Sequence, residues 1–353
     1  MSVKYNVIGL MSGTSMDGLD IVYCSFFEKE NQWQYKVHLG DTIPYSLYWL
    51  EQLNGARELS EIKLLELDKE YGEYLGMATH EFIEKNKITE INFVASHGHT
   101  VHHEPHKGIT VQIGSGKTMH KLLGIPVVND FRTADVKMGG QGAPLVPIGD
   151  QLLFSEYDAC LNLGGFSNIS FEKNAERLAF DIGPANIVLN YIARLTGVVF
   201  DMNGDIAKSG IVDTELLCKL NAIPYYQKTL PKSLGIEWVD EFIMPLLESK
   251  KHADLLRTLT EHCTFQIARV LDGYLLRNVL VTGGGVYNSF FMECLKSKTK
   301  CMIITPEKEI VEYKEALIFA FLGVLKWENK VNILKSVTGA SNNHSSGEIH
   351  HVI

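Results

Sequence analysis

The sequence lacks the features that mark nucleic-acid-binding, secreted and membrane-spanning proteins. Its 33 lysines and arginines are outnumbered by 42 aspartates and glutamates, whereas a nucleic-acid-binding surface is expected to be basic. No apolar run reaches the length of a membrane span. Residues 1–10 lack the long apolar core of a signal peptide. We therefore expect a cytoplasmic protein with no nucleic acid and no membrane as partner.

Cysteine is sparse, and its spacing excludes the common metal and redox motifs. No two of the cysteines have CxxC spacing, so the simplest interpretation is reduced thiols that pack as small buried hydrophobic residues. The six are Cys24, Cys160, Cys218, Cys263, Cys294 and Cys301.

A complete phosphate-binding P-loop is also absent. Residues 110–120, "TVQIGSGKTMH", contain the end of that motif. The motif requires a glycine five positions before Gly116, where this chain has Val111. We expect the similarity to be accidental and a phosphate to bind elsewhere.

What is present is the composition of an ordinary soluble globular protein. The chain has 353 residues, of which 45% are hydrophobic and 21% are charged, enough for two domains with sizeable cores. A glycine- and proline-containing loop follows residue 130, and the pattern of strands and glycine turns then begins again. We predict an N-terminal domain of residues 1–130, joined by the C-terminal segment 336–353, and a C-terminal domain of residues 131–335.

Two β-hairpins with glycine-rich turns begin these two halves. Residues 5–11 and 19–27 predict the first hairpin, and "DACLNLGGFSNISFE" predicts the second. Helical spacing of apolar residues predicts a long amphipathic helix over 62–85. The two hairpins indicate either a weak internal duplication or a chance repetition of a common turn.

A strand and a helix follow the second hairpin in "RLAFDIGPANIVLNYIARLTG". We predict that the strand ends at Asp181, that Pro184 is the first helical residue and that Gly197 caps the helix end. The predicted buried stripe consists of Ile187, Tyr191, Ile192 and Leu195.

Three glycine-rich elements are candidate phosphate or nucleotide sites, because glycine lets a ligand approach the backbone and successive N–H groups bind anions. Each alone is a weak signal, and the first is better explained as a plain hairpin turn. Their fixed order, two in hairpins and one opening a helix, favours nucleotide binding. The residues are Gly13, Thr14, Ser15, Met16, Asp17 and Gly18 in the first, Gly164 and Gly165 in the second, and Gly283, Gly284, Gly285 and Asn288 in the third.

The order of these elements resembles the phosphate-1, phosphate-2 and adenosine motifs of the superfamily of actin, the sugar kinases and the Hsp70 chaperones. The amino-acid sequences of the motifs resemble those of the 1,6-anhydro-N-acetylmuramic acid kinase family from residue 7 to about residue 340. The matching stretches are "GLMSGTSMDGLD", "SHGHTVHHEP", "NDFRTADVKMGGQGAPLVP", "LNLGGFSNIS", "FDIGPANIVLN", "VTGGGVYN" and "SVTGA".

This resemblance implies an α/β, two-domain actin-like ATPase (ribonuclease H-like) fold with a ligand cleft between the domains. It implies an enzyme that opens the 1,6-anhydro ring of 1,6-anhydro-N-acetylmuramic acid with water and phosphorylates O6 with ATP. The product would be N-acetylmuramic acid 6-phosphate, in peptidoglycan recycling. Asp181 matches the general base that takes a proton from the attacking water. From the residues alone, a helix N-cap aspartate is the more common use.

The resemblance also implies sugar-binding residues. Arg132 would clamp the lactyl carboxylate or the phosphoryl group with its planar fork, and Glu315 and His97 would line the sugar site. Read without the family, Arg132 is a loop arginine and Glu315 a first-turn helix acid. Five histidines within ten residues also suggest zinc, but the family implies no transition metal there. His99 departs from the family pattern, in which glutamine is usual.

ATP and Mg²⁺ are the implied cofactors, with Thr14, Ser15 and the turn N–H groups around the γ-phosphate. No acid precedes the first glycine turn as it does in relatives, so Asp17 is only a candidate for contacting Mg²⁺. The family implies a homodimer that closes around its ligands. Two alternatives stay open: a kinase for another small hydroxyl compound, and an ATP-binding switch protein that holds a polypeptide.

Overall fold

The structure is a computed structural model that describes residues 3–13, 16, 18–247 and 250–351. The contacts divide the chain into two compact units, and the first is discontinuous in sequence. It consists of Met1–Leu153 and Tyr313–Ile353, and the second unit is Phe154–Glu312.

In the described residues the strands are β1 (Lys4–Ser12), β2 (Leu19–Lys29), β3 (Gln32–Ile43), β4 (Phe93–Ser96), β5 (His99–Glu104), β6 (Ile109–Ile113), β7 (Val127–Asn129), β8 (Ala159–Leu163), β9 (Phe166–Lys173), β10 (Glu176–Pro184), β11 (Asn278–Thr282), β12 (Met302–Ile304) and β13 (Glu348–His350). The α-helices are α1 (Leu47–Gly55), α2 (Glu61–Asn86), α3 (Gly116–Leu123), α4 (Thr133–Lys137), α5 (Pro147–Leu153), α6 (Asn186–Leu195), α7 (Asp205–Ser209), α8 (Thr214–Asn221), α9 (Ile236–Phe242), α10 (His252–Gly273), α11 (Ser289–Lys298), α12 (Lys308–Trp327) and α13 (Lys335–Thr338).

The main sheet of the first unit has the strand order β13-β7-β4-β1-β2-β3. β1, β2 and β3 are antiparallel, whereas β4 pairs parallel with β1 and β7 pairs parallel with β4. β5 and β6 form a separate hairpin. Successive residues of β1 point to opposite faces of the main sheet, and both faces are covered at this strand. Ile8 and Leu10 join a core with α1 and α2, and a Cβ on Gly9 would lie 2.2 Å from the Ala316 carbonyl oxygen of α12.

The sheet of the second unit repeats this topology in the order β10-β9-β8-β11-β12. β8, β9 and β10 are antiparallel, and β11 and β12 continue from β8 in parallel. Residues of α6, α10 and α11 complete its apolar core. Both predicted hairpins and the helix over 62–85 are confirmed. The shared strand order supports the internal duplication, and an α/β fold of two units with the same sheet topology is confirmed.

The division of the chain differs from the predicted domain bounds. Residues after 130 stay with the first unit, because α4 contacts β6 and α5 contacts β3. The first unit resumes at Tyr313, within α12, rather than at residue 336. β13 pairs with β7, so the C-terminal segment belongs to the first sheet. Which segments fold together as domains stays a prediction.

The strand predicted to end at Asp181 continues to Pro184, because Gly183 and Pro184 still pair with β9 beyond a register shift. The prediction that Pro184 is the first helical residue is therefore wrong. α6 begins at Asn186, and Gly197, with φ of 89°, follows its last turn.

The predicted buried stripe of α6 is half wrong, because Tyr191 is 42% exposed and Leu195 is 51% exposed. Ile187 is partly buried and packs against the apolar core. Ile192 is buried as predicted, with three residues on the neighbouring face of the helix. The buried set is Val188, Leu189, Ile192 and Ala193.

Candidate active site

In the first unit, Arg132 and His97 form one hydrogen-bonded group. His97 follows β4, and Nε and Nη2 of Arg132 both donate to its Nε2, at 3.1 and 2.8 Å. Because arginine only donates, this nitrogen is the acceptor, and His97 Nδ1 therefore donates to the Gly98 carbonyl at 2.9 Å. Burial, followed by the Arg132 charge, holds the pKa of His97 well below its usual value, so the ring is neutral. Burial also lowers the pKa of Arg132 to about 10.

Glu315 lies in α12 near this group. Its carboxyl pKa is raised by burial, while the positive charges of Lys314 and Arg132 oppose that shift. The neighbouring Lys314 ammonium contacts Asp150 at 3.0 Å in a buried ion pair. The structure therefore joins His97 and Arg132 directly, and the Arg132 charge also acts on Glu315. That these three residues bind the sugar stays a prediction, and part of the Arg132 donor capacity is used by protein acceptors.

The first glycine turn joins β1 to β2. Thr14, Ser15 and Asp17 lie outside the described residues, and Gly13, Met16 and Gly18 are described. Gly18 is tightly enclosed, since a Cβ there would lie 2.6 Å from the Ile43 carbonyl oxygen.

A buried chain of hydroxyl groups supports the end of β1 that leads into this turn. The Ser12 hydroxyl bonds His99 Nδ1 at 2.9 Å, and Tyr45 donates to Ser12 at 2.7 Å. Tyr45 also bonds the Tyr71 hydroxyl, at 2.7 Å. Burial and the Arg57 charge lower the pKa of His99 to about 4. His99 is therefore neutral and holds the residue immediately before Gly13.

In the second unit, Asp181 lies within β10 at the point where pairing with β9 shifts register. Its Oδ2 accepts a hydrogen bond from the Leu234 N–H at 2.9 Å, and its carbonyl oxygen accepts from the Tyr225 hydroxyl at 2.6 Å. The N-cap residue of α6 is Ala185, so Asp181 is not a helix cap. Burial raises the pKa of its carboxyl, whereas the Leu234 N–H and the Lys232 charge oppose the rise.

The second glycine turn joins β8 to β9 and caps α6 with its carbonyl groups. The N–H groups of Ala185 and Ile187 donate to the Gly165 oxygen at 2.8 and 3.0 Å, and Asn186 N–H donates to the Gly164 oxygen at 3.2 Å. These N–H groups are therefore already paired at the start of the helix. Any phosphate contact here must come from other groups of the turn.

The third glycine element lies between β11 and α11. Gly283 has φ of 85°, and a Cβ there would lie 2.4 Å from Asn162 Oδ1. Gly284, by contrast, is exposed, and a Cβ there would meet no atom within 4 Å. Asn288 caps α11 by accepting from the Phe291 N–H at 2.9 Å. Within the triplet, Gly284 is the position open to a ligand.

The family model described as "Anhydro-N-acetylmuramic acid kinase" matches residues 5–352. The chain belongs to this family. It is 31% identical to the anhydro-N-acetylmuramic acid kinase of Francisella tularensis subsp. novicida, over 99% of each chain, and 34% identical to that of Shewanella putrefaciens, over 95% of each. A ROK family glucokinase structure from Streptomyces griseus matches at a TM-score of 0.41 and 11% identity over 90% of this chain and 98% of that one.

Outside these elements, the GSGKT stretch of this family member is built as an ordinary helix start. Ser115 Oγ accepts from the Thr118 N–H, and the Asp68 carboxylate accepts from the Gly114 N–H at 2.8 Å. A carboxylate at that position would repel a phosphate.

The histidine-rich stretch forms no metal cluster in the part of the chain that the structure describes. His103, in β5, bonds the Thr110 hydroxyl of β6 at 3.3 Å. Across the same described ranges, no helix is both long enough and apolar enough to cross a membrane.

Sequence reasoning missed the residues that surround Asp181. They lie in a stretch 44 to 53 residues further along the chain. Tyr225 and Leu234 donate hydrogen bonds to Asp181, and the Lys232 charge acts on its carboxyl. Behind them, His262 Nε2 accepts from the Tyr226 hydroxyl at 2.7 Å in a fully buried site. No spacing motif links these positions, so the sequence carried no signal for them.

Proposed function

We propose that the protein opens the 1,6-anhydro ring of 1,6-anhydro-N-acetylmuramic acid with water and phosphorylates O6 with ATP. The product is N-acetylmuramic acid 6-phosphate, which enters peptidoglycan recycling. The match of the family model over nearly the whole chain carries this proposal.

Asp181 is the proposed general base. Oδ2 is engaged by the Leu234 N–H, whereas no hydrogen bond between described residues ends at Oδ1. Oδ1 is therefore the atom that takes the proton from the water attacking C1. The raised carboxyl pKa suits this role, because a base is most effective when its pKa approaches the working pH.

Arg132, His97 and Glu315 are the proposed sugar-binding residues. Of the five N–H donors of a guanidinium, three are used on His97 and the Gly142 carbonyl, which leaves two for a ligand. These two donors would hold the lactyl carboxylate or the transferring phosphoryl group. His97, as a neutral acceptor, orients the guanidinium for that contact.

The residues proposed to hold ATP are the three glycine elements. The open space at Gly284 and the exposure of Gly165 allow a nucleotide to approach the backbone. ATP supplies the phosphoryl group. Mg²⁺ is proposed only as the companion of the ATP phosphates, because no cluster of described His, Cys, Asp and Glu residues fits a metal ion, and Asp17 lies outside them.

We also propose that the protein works in the cytoplasm and as a homodimer. Both proposals come from the family resemblance. Sedimentation velocity of the purified protein tests the second one, and a single species near 39.6 kDa would exclude the dimer.

The deciding experiment supplies ATP, Mg²⁺ and the anhydro sugar in ¹⁸O-labelled water and analyses the product by mass spectrometry. The expected product is a 6-phosphosugar with one ¹⁸O at C1. Asp181→Asn keeps an oxygen acceptor for the Leu234 N–H and should lower kcat by about 10²- to 10⁴-fold. Steady ADP release without a phosphorylated sugar would exclude the assigned substrate, and full activity of the variant would exclude the base.

A further inference from the structure

The loop between Gln227 and α9 carries a second charged side chain, Lys232, whose positive charge acts on the Asp181 carboxyl. Lys232 lies two residues before Leu234, whose N–H binds Asp181 Oδ2. The Lys232 ammonium is 4.6 Å from the centre of the Tyr225 ring and 5.4 Å from that of Phe180. A cation over two ring faces is attracted by both rings. The side chain is therefore held in place and is only partly exposed.

Both rings under Lys232 are themselves tied to Asp181. Phe180 precedes Asp181 in β10. The Tyr225 hydroxyl donates to the Asp181 carbonyl oxygen at 2.6 Å. The position of the ammonium is thus defined relative to the Asp181 backbone by two independent contacts.

Lys232 forms no close ion pair. Among the described residues, no carboxylate oxygen lies within 4.0 Å of its Nζ. The ammonium therefore attracts the Asp181 carboxylate without occupying Oδ1. In the described part of the second unit, burial and then the Arg269 charge lower the pKa of Lys232, and burial and then the Asp181 charge raise the pKa of Tyr225.

We propose that Lys232 is a positioning residue whose ammonium, fixed over Tyr225 and Phe180, keeps the Asp181 carboxylate ionised and leaves Oδ1 open to water. Burial alone favours the neutral carboxylic acid, which cannot accept the proton. A nearby cation offsets that effect without a direct contact. This inference rests on the proposed role of Asp181 as base.

Lys228 provides a matched control. Its Nζ lies over the same Tyr225 ring, at 5.9 Å, but its side chain is exposed. Lys232→Met removes the charge and keeps an apolar stem on the rings, whereas Lys232→Arg keeps the charge. Lys228→Met removes a charge of the same kind from the other position. Thermal unfolding of each variant checks that the fold is retained.

The first measurement does not depend on activity. Protein labelled with ¹³C at the aspartate carboxyl carbons is titrated by NMR, and the Asp181 signal is assigned by its loss in Asp181→Asn. Lys232→Met should raise the titration midpoint by about one pH unit. Lys232→Arg should return it towards the wild-type value. An unchanged midpoint in Lys232→Met, or an equal rise in Lys228→Met, would overturn the inference.

The second measurement is the pH profile of kcat/KM for the anhydro sugar. Its acidic limb should move upward in Lys232→Met together with the NMR midpoint. If the NMR titration midpoint of Asp181 moves and the pH profile of kcat/KM does not, Lys232 does keep the Asp181 carboxylate ionised. The assignment of Asp181 as the base then fails.

Discussion

Two N–H groups of Arg132 converge on a single atom, Nε2 of His97. This arrangement needs a neutral histidine, because an imidazolium has no acceptor nitrogen. Burial and the guanidinium charge both lower the pKa of His97 and so maintain that state. The pair therefore behaves as one rigid cationic group rather than as a titrating one.

Replacing His97 tests how much the fold depends on this acceptor. His97→Leu leaves donors of a partly buried guanidinium unpaired, and should lower the free energy of unfolding by about 1–3 kcal/mol. It should also raise the KM for the sugar, because Arg132 loses its orientation. His97→Gln offers an amide oxygen as acceptor. It should therefore show a smaller loss of unfolding free energy and a smaller rise in KM. Urea denaturation and steady-state kinetics measure these effects, and equal stability of the two variants would contradict the role given to Nε2.

The glycine triplet allows packing and ligand access to be separated. Gly283→Ala adds a Cβ 2.4 Å from Asn162 Oδ1 at a φ of 85°, and should lower the free energy of unfolding by about 1–3 kcal/mol. Gly284→Ala meets no protein atom within 4 Å. It should therefore keep its stability but raise the KM for ATP. A Gly284→Ala protein with an unchanged KM would show that the nucleotide does not approach this position.

His262 predicts a dependence of stability on pH. Burial lowers its pKa from 6.5 to about 3 in the folded protein. Between these values the unfolded chain binds a proton that the folded protein does not, so stability falls as pH falls from about 6.5 towards 3. The slope should reach about 1.4 kcal/mol per pH unit.

The comparison of wild type with His262→Gln measures this contribution. The difference in unfolding free energy between pH 7 and pH 5 should be smaller in the variant, which lacks the titrating ring. His80→Gln, which changes an exposed histidine of α2, is the control and should behave like the wild type. The same pH dependence in His262→Gln would refute the prediction.

The sequence predicted elements whose local pattern is unambiguous. Alternating apolar residues around a glycine turn identified β1 with β2 and β8 with β9, and a long helical repeat identified α2. The helix start predicted at Pro184 was wrong, because a proline suits both the first turn of a helix and the end of a strand. Pairing with β9 decided between them, and that is a tertiary interaction.

The residues of the candidate site also divide into those that the sequence predicted and those that it did not. His97, Arg132, Glu315 and Asp181 were predicted through motifs that resemble a family, and composition alone favoured simpler roles for them. Lys232 and His262 were not predicted, because their importance depends on contacts between distant parts of the chain. The orientation of the Arg132 donors could not be predicted either, since it depends on a nitrogen of His97, 35 residues away.

The pairing of β13 with β7 has a consequence for biosynthesis. A ribosome releases the chain from the N-terminus at about 5–20 residues per second. The second unit is continuous from Phe154 to Glu312, so all of its strands emerge before residues 348–350 do. The unit that begins first in the nascent chain is therefore completed last, and during that interval the β7 edge lacks the neighbour that later covers it.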